Sequence, residues 1–164
     1  YLTTQAKDDP VRYVHHEIGY NFRLTNIQSA LGVAQLENLS TYLYQKEKNH
    51  LFYKEHINNI DGLKLVPVPK YADNNHWLNI IQIDRKIYGM NRDSLMDKLE
   101  QEGLQARPVW RLNHLQKPYN NFETYNIENA LMLVENSLCI PSGPQLTDTE
   151  LERVVTCLNN REQR

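Results

Sequence analysis

The sequence predicts an α+β fold, in which two leading helices precede a small sheet of three or four strands packed on helices. Two observations lead to this fold class. Apolar residues recur with helical spacing across residues 25–57, and short β-rich segments then follow near Leu65 and Ile80. Because these two strands follow one another without a helix between them, the pattern excludes a purely alternating βαβ arrangement.

The composition is that of an ordinary globular protein. The chain has 164 residues, of which 40% are apolar and 23% charged, and its formal net charge is -2. It therefore lacks the basic face that nucleic-acid binding needs, and no apolar run reaches the length of a membrane span. Cys139 and Cys157 match no metal or redox spacing, and we predict buried or half-buried thiols in a reducing cytoplasm.

The first helix is predicted from a capping box, since Thr25 can cap it and Gln28 lies three residues further on. Its helical spacing is carried by Ile27, Leu31, Val33 and Ala34. Ser40 is expected to cap a second helix that ends near Ile57, before a turn at Gly62. The polar stretch up to Gly19 is predicted to be irregular. It begins without Met or a signal-peptide pattern, so we expect the chain to be part of a longer protein.

The remaining elements follow in order along the chain. Strands are predicted in "LKLVPVP" and "HWLNIIQID", and a helix from Asn91 to Gly103. A strand in "LQARPVW" is cut short by Pro108 and leads into the polar loop "NHLQKPYNNFETYN". A helix and a short strand follow in "IENALMLVENSLCIPSGP". A second capping box, Thr147 with Glu150, then opens a helix with an apolar face formed by Leu151, Val154, Val155 and Leu158.

The start of the first helix carries more polar groups than a cap requires. In "GYNFRLTN", Asn21 offers an amide donor and Arg23 a bidentate guanidinium, while Tyr20 and Phe22 offer flat apolar walls. A helix N-terminus is itself suited to phosphate. Two interpretations stay open at this point: an anion site, or a capped helix whose upstream loop packs its aromatic rings.

A second candidate cluster lies in "ARPVWRLNH". Arg107, Trp110, Arg111 and His114 follow the end of a predicted strand, where binding rims are common. The alternative is a packed tryptophan beside solvated arginines. No nucleotide-loop, nucleophile-elbow or zinc-helix motif is present. A metal site at His15–Glu17 is weakly supported, because zinc deaminases also need paired cysteines, and we predict no metal.

The segment "HEIGYNFRLTNIQSALGVAQLENL" resembles the one that identifies the DegT/DnrJ/EryC1/StrS family of sugar-nucleotide aminotransferases. The downstream order fits as well, including "NRDSLMDKLEQEGLQARPVW" and "LCIPSGPQLTDTELERVV". The resemblance spans essentially the whole chain. The wording "RPVW…NH" is most similar to the branch that makes 4-amino-6-deoxy-N-acetylhexosamines.

This resemblance implies an aspartate-aminotransferase-like (type I) fold that depends on pyridoxal 5'-phosphate. Residues 1–39 would be the end of the large domain and a connecting helix, and residues 40–164 the C-terminal small α+β domain. The active site would lie between two subunits of a homodimer. The cofactor's Schiff-base lysine would lie upstream, since Lys7 lacks the glycine-rich context, so no catalytic residue is expected in this chain.

The resemblance also implies roles for individual residues. Asn21 would reach across the dimer to the cofactor phosphate, Arg23 would lie near the sugar nucleotide, and the loop of His114 would border the substrate pocket. Together with the residues argued above, the predicted substrate-binding set is Tyr20, Arg23, Arg107, Trp110 and His114. Each of these roles is consistent with the interpretation above, in which hydrogen-bond donors bind an anion.

The parent enzyme would move an amino group from glutamate to the keto carbon, C4, of a nucleotide-linked 6-deoxy sugar, in the cytoplasm, for surface glycan or polysaccharide biosynthesis. Two alternatives remain open from the sequence. One is a non-catalytic dimerisation or sugar-nucleotide-binding module. The other is a relative that carries His in place of the Schiff-base lysine and dehydrates sugars instead.

Overall fold

A computed structural model describes Ala6, Asp8 and residues 16–160 of the chain. Most of the predicted irregular opening, with Lys7 and His15, lies outside the described residues. The chain divides into two compact units between Ser40 and Thr41. That the first unit belongs to a larger domain stays a prediction.

In the described part of the first unit lies the helix α1 (Asn26–Glu37), which begins at the predicted capping box. The backbone N–H of Gln28 donates to Thr25 Oγ1 at 3.3 Å, and the N–H of Thr25 donates to Gln28 Oε1 at 3.0 Å. None of the residues of α1 is buried. Its exposed apolar side chains are Ile27, Leu31, Val33 and Leu36.

The second helix, α2 (Leu39–Ile57), ends where predicted, but Ser40 does not cap it. Asn38 ends α1 instead: its backbone N–H donates to Gln35 O at 3.3 Å and its side-chain amide donates to Ala34 O at 2.9 Å. The chain re-enters helix at the next residue. Ser40 therefore lies inside the first turn of α2, where its backbone is already helical.

The second unit contains a four-stranded antiparallel sheet in the order β1-β2-β4-β3. Its strands are β1 (Leu63–Leu65), β2 (Asn79–Ile83), β3 (Arg107–Pro108) and β4 (Ser137–Ile140). All four lie within the predicted segments, and β3 is as short as Pro108 implied. Leu65 pairs with Ile81, and Ile81 with Leu138, so these three side chains share one face of the sheet.

The core lies between that face and the helices α2, α4 (Arg92–Gln101) and α6 (Asp148–Asn159). Asn91 caps α4, Gly103 follows it with φ +70°, and Thr147 forms the second predicted capping box. The buried side chains that close the core from these helices are Tyr53, Ile57, Leu95, Leu99, Leu151, Val154 and Leu158.

Two further α-helices lie among the described residues. The sequence pattern missed α3 (Arg85–Tyr88), a single turn that Asp84 caps and Gly89 ends with φ +90°. Four residues are too few to show a helical period. In contrast, α5 (Glu128–Asn136) lies in the predicted segment but buries none of its residues, and Met132 and Leu133 are exposed.

Candidate functional site

The segment before α1 presents two polar groups to solvent. Asn21 Oδ1 accepts a hydrogen bond from the Arg23 backbone N–H at 3.2 Å, and the Asn21 Nδ2 group has no hydrogen-bond partner among the described residues. The exposed guanidinium of Arg23 likewise has no ion-pair partner there. Because the first turn of α1 holds no acidic residue, the positive end of its dipole is not neutralised. This segment can accept an anion.

The two aromatic rings of the same segment do not pack into a core. Tyr20 and Phe22 stack on each other with ring centroids 5.8 Å apart and an interplanar angle of 20°. Their exposed fractions are 57% and 74%. Within the described residues, the two rings therefore pack on each other and stay open to solvent.

The second candidate cluster lies in the other unit, along the chain from β3. Arg107 pairs with Cys139 in the sheet while its side chain is exposed, and the side chain of Arg111 is exposed too. Trp110 lies beside Trp77, with ring centroids 5.6 Å apart at an interplanar angle of 34°. Trp110, a predicted substrate-binding residue, is therefore exposed, and its ring lies beside a second indole.

His114 occupies a 3₁₀ turn, Asn113–Leu115, in the connection that follows. Its Nε2 atom is shielded from solvent and has no hydrogen-bond partner in the described part of the chain. The ring lines a cavity of about 400 Å³ that is walled by Leu112, Asn113, Tyr119, Phe122, Glu123, Thr124, Tyr125, Ile127 and Ala130. A buried polar nitrogen of this kind suits a bound hydroxyl or water.

A buried polar network, which the sequence did not reveal, lies at the start of β2. Asn79 Oδ1 accepts a hydrogen bond from His50 Nδ1 at 2.8 Å, and the Asn79 backbone N–H donates to Ser142 Oγ at 2.8 Å. Because a carbonyl oxygen only accepts, the His50 proton lies on Nδ1. The network joins α2, β2 and the segment after β4.

Two side chains connect this network to Trp77. Lys46 Nζ donates to the carbonyl oxygens of Trp77, at 3.1 Å, and Ser142, at 2.8 Å, and burial lowers the pKa of Lys46. The ring of His76 stacks on His50 with centroids 4.0 Å apart. Burial, and secondarily the charge of His50, lowers the pKa of His76. The sequence pattern placed His76 and Trp77 within a predicted strand, whereas β2 begins at Asn79.

Further features of the described residues are their metal-ligating side chains, their two thiols and the apolarity of their helices. Among residues 6, 8 and 16–160 no group of three or more His, Cys, Asp or Glu side chains could hold a metal ion. The two thiols are buried, as predicted, and burial raises the pKa of both Cys139 and Cys157. No helix in these ranges is long and apolar enough to cross a bilayer.

Comparison with known proteins identifies relatives along nearly the whole chain. The chain is 31% identical over 162 residues to a putative pyridoxal phosphate-dependent aminotransferase, EpsN, of Bacillus subtilis, covering 96% of this chain and 41% of the relative. It is 27% identical over 159 residues to GDP-perosamine synthase of Caulobacter vibrioides, covering 96% of this chain and 43% of that protein. The chain thus spans less than half the length of these relatives.

The fold matches solved structures as well. The aminotransferase TlmJ from Streptoalloteichus hindustanus superposes with a TM-score of 0.80 at 18% identity, over 96% of this chain and 42% of that one. The chain therefore shares the fold of the matching part of this aminotransferase, and its small α+β unit with a four-stranded sheet is as predicted. The model of the DegT/DnrJ/EryC1/StrS aminotransferase family matches residues 2–159. The chain belongs to the DegT/DnrJ/EryC1/StrS aminotransferase family.

Proposed function

We propose that this chain is the C-terminal part of a pyridoxal-phosphate-dependent enzyme that transfers an amino group from glutamate to the keto carbon of a nucleotide-linked sugar. The observation that carries the proposal is the family match over residues 2–159. The chain's 27% identity to a GDP-perosamine synthase supports a nucleotide sugar as the acceptor. The carbon aminated is proposed to be C4 of a 6-deoxy sugar.

The segment before α1 fits the phosphate of the cofactor. The Asn21 Nδ2 group has no hydrogen-bond partner in the described part of the chain, and its Oδ1 is held by the Arg23 backbone, so the amide is oriented for donation. A phosphate oxygen accepts such a donor well. When bound, pyridoxal phosphate supplies the electron sink that amino transfer needs. The lysine that anchors it is proposed to lie upstream of this chain.

The other candidate residues are proposed to bind the acceptor sugar nucleotide. Exposed guanidinium groups, at Arg23 and Arg107, suit its phosphates because their fork matches phosphate oxygens. Tyr20 and Trp110 offer exposed aromatic faces, and His114 lines a cavity whose wall includes Tyr119, Phe122 and Tyr125. These residues bind and orient the sugar and exclude water, while the cofactor carries the chemistry.

The setting proposed for the enzyme is a homodimer in the cytoplasm, where it supplies amino sugars for surface polysaccharide. The exposed apolar side chains of α1 support burial against further protein in that assembly, because large apolar side chains are seldom left open together. In the proposed dimer, Asn21 serves the cofactor of the partner subunit.

The proposal is tested by amino transfer in the full-length enzyme. Purified protein with pyridoxal phosphate and glutamate labelled in its amino nitrogen is given a GDP-linked or UDP-linked 4-keto-6-deoxy sugar. Mass spectrometry is expected to find the labelled nitrogen in the sugar nucleotide. Dehydration of the sugar without label would favour the dehydratase alternative. Binding of the nucleotide without any reaction would favour a non-catalytic module.

A further inference from the structure

We propose that Trp77 and Trp110 form one stacking platform, and that it receives the nucleobase of the nucleotide-linked substrate. This inference rests on the proposed function and assigns a site to Trp77, for which the sequence indicated only a strand residue. The two rings come from separate connections, before β2 and after β3, so only the folded unit brings them together.

The geometry leaves aromatic surface open on both residues. The indole centroids lie 5.6 Å apart at 34°, which is within the range of favourable aromatic pairs. Nevertheless, 63% of Trp77 and 62% of Trp110 remain exposed. Two large apolar rings left open at one place form an interaction surface rather than part of a core. A further planar ring can stack on a free face of this pair.

The backbone of Trp77 is fixed on both sides. Its carbonyl oxygen accepts from Lys46 Nζ at 3.1 Å, and its N–H donates to Asn75 Oδ1 at 3.0 Å. Lys46 is held in turn by the Ser142 carbonyl. Because these contacts fix the backbone that carries the ring, less conformational entropy is lost when a ligand stacks on it.

The charged residues near Trp110 in the chain favour one class of occupant. Arg107 and Arg111 flank Trp110 in the chain, are exposed, and have no ion-pair partner among the described residues. A nucleoside diphosphate combines the two features that this surface offers to a ligand, because its base stacks on indole and its phosphates pair with guanidinium groups. A pyranose alone has no π-face.

Stacking on an aromatic ring is tolerant of base identity, since every base has a π-face. The platform is therefore expected to bind a purine and a pyrimidine nucleoside diphosphate with similar affinity. Inorganic pyrophosphate carries the phosphates without a base, and glucose 1-phosphate carries a sugar and a phosphate without a base. These two compounds are the matched controls.

The chain contains two tryptophans, and both belong to the platform. Intrinsic tryptophan fluorescence of the unaltered chain therefore reports on this site alone. Titration with GDP and with UDP is expected to change the emission saturably, whereas pyrophosphate and glucose 1-phosphate leave it unchanged. An emission that responds to none of the four compounds, or equally to pyrophosphate, overturns the proposal.

Variants test the role of Trp77 directly. Trp77→Ala is expected to weaken GDP binding about 5- to 150-fold by calorimetry, the range that base stacking contributes. Trp77→Phe retains a ring and should recover most of the affinity. Tyr71→Ala removes an aromatic side chain that is 92% exposed and should bind GDP normally. Far-UV circular dichroism checks that each variant is folded.

The full-length enzyme separates this inference from the proposed function. Trp77→Ala should raise the KM for the sugar nucleotide by a similar factor, while the reaction with glutamate alone keeps its rate. Normal amino transfer with an unchanged KM in Trp77→Ala overturns the platform and leaves the proposed function intact. Saturable GDP binding by an enzyme that transfers no amino group overturns the proposed function and leaves the platform intact.

Discussion

Asn79 is the buried polar residue on which the network between α2, β2 and the segment after β4 depends. Its exposed fraction is 2%, and its Oδ1 accepts from His50 Nδ1 at 2.8 Å. Asn79→Ala removes that acceptor and leaves a buried imidazole N–H unsatisfied, which costs about 1–3 kcal/mol. The lost amide contact with Ser142 Oγ and the small cavity add to this, so we expect a loss of about 2–4 kcal/mol.

Urea unfolding measures this loss as a lower transition midpoint at unchanged slope. Asn74→Ala is the matched control, because Asn74 is exposed and its Oδ1 accepts a single hydrogen bond, from the His76 N–H at 2.8 Å. The control should lose less than about 1 kcal/mol. An Asn79→Ala variant as stable as the control would refute the role of the network.

The remaining stability predictions concern one glycine and one histidine. Gly62→Ala should destabilise the protein by about 2–4 kcal/mol in the same urea assay, because the backbone has φ +81° and a Cβ there would lie 2.4 Å from Tyr88 N; an unchanged midpoint would contradict this. Folding lowers the pKa of His76, so the unfolded chain binds the proton more readily, and stability should fall as the pH drops below about 6.5. His76→Asn, which tolerates the left-handed backbone at φ +48°, should lose less stability between about pH 7 and pH 5; an equal loss would contradict the assignment.

The elements that the sequence predicted well are those that local chemistry determines. Thr25, Asn91 and Thr147 each cap a helix through a side chain a few residues from its partner, and all three caps are confirmed. The prediction that Ser40 caps the second helix was wrong. Asn38, two residues earlier, ends α1, and α2 begins directly after it. A capping residue type predicts a helix start only when no neighbour competes for it.

The periodicity of the sequence does not predict contacts between residues that are far apart along the chain. His50 and Asn79 are 29 positions apart, and the partners Trp77 and Trp110 lie on different connections, so no periodicity relates them. The candidate site divides in the same way. The number of polar groups before α1 was enough to predict Asn21 and Arg23 as candidates from the sequence. The contact between Trp77 and Trp110, in contrast, could be seen only in the folded unit.

The central claim is that the segment before α1 serves the cofactor phosphate, and the affinity of the full-length enzyme for pyridoxal phosphate tests it most directly. Asn21→Ala should weaken that affinity about 10- to 100-fold, because a hydrogen bond to a charged acceptor contributes roughly 1.5–3 kcal/mol. Asn26→Ala removes a carboxamide at the first residue of α1 and is the matched control. The account predicts that only Asn21→Ala weakens cofactor binding, and equal affinity in the Asn21→Ala and unaltered enzymes would contradict it.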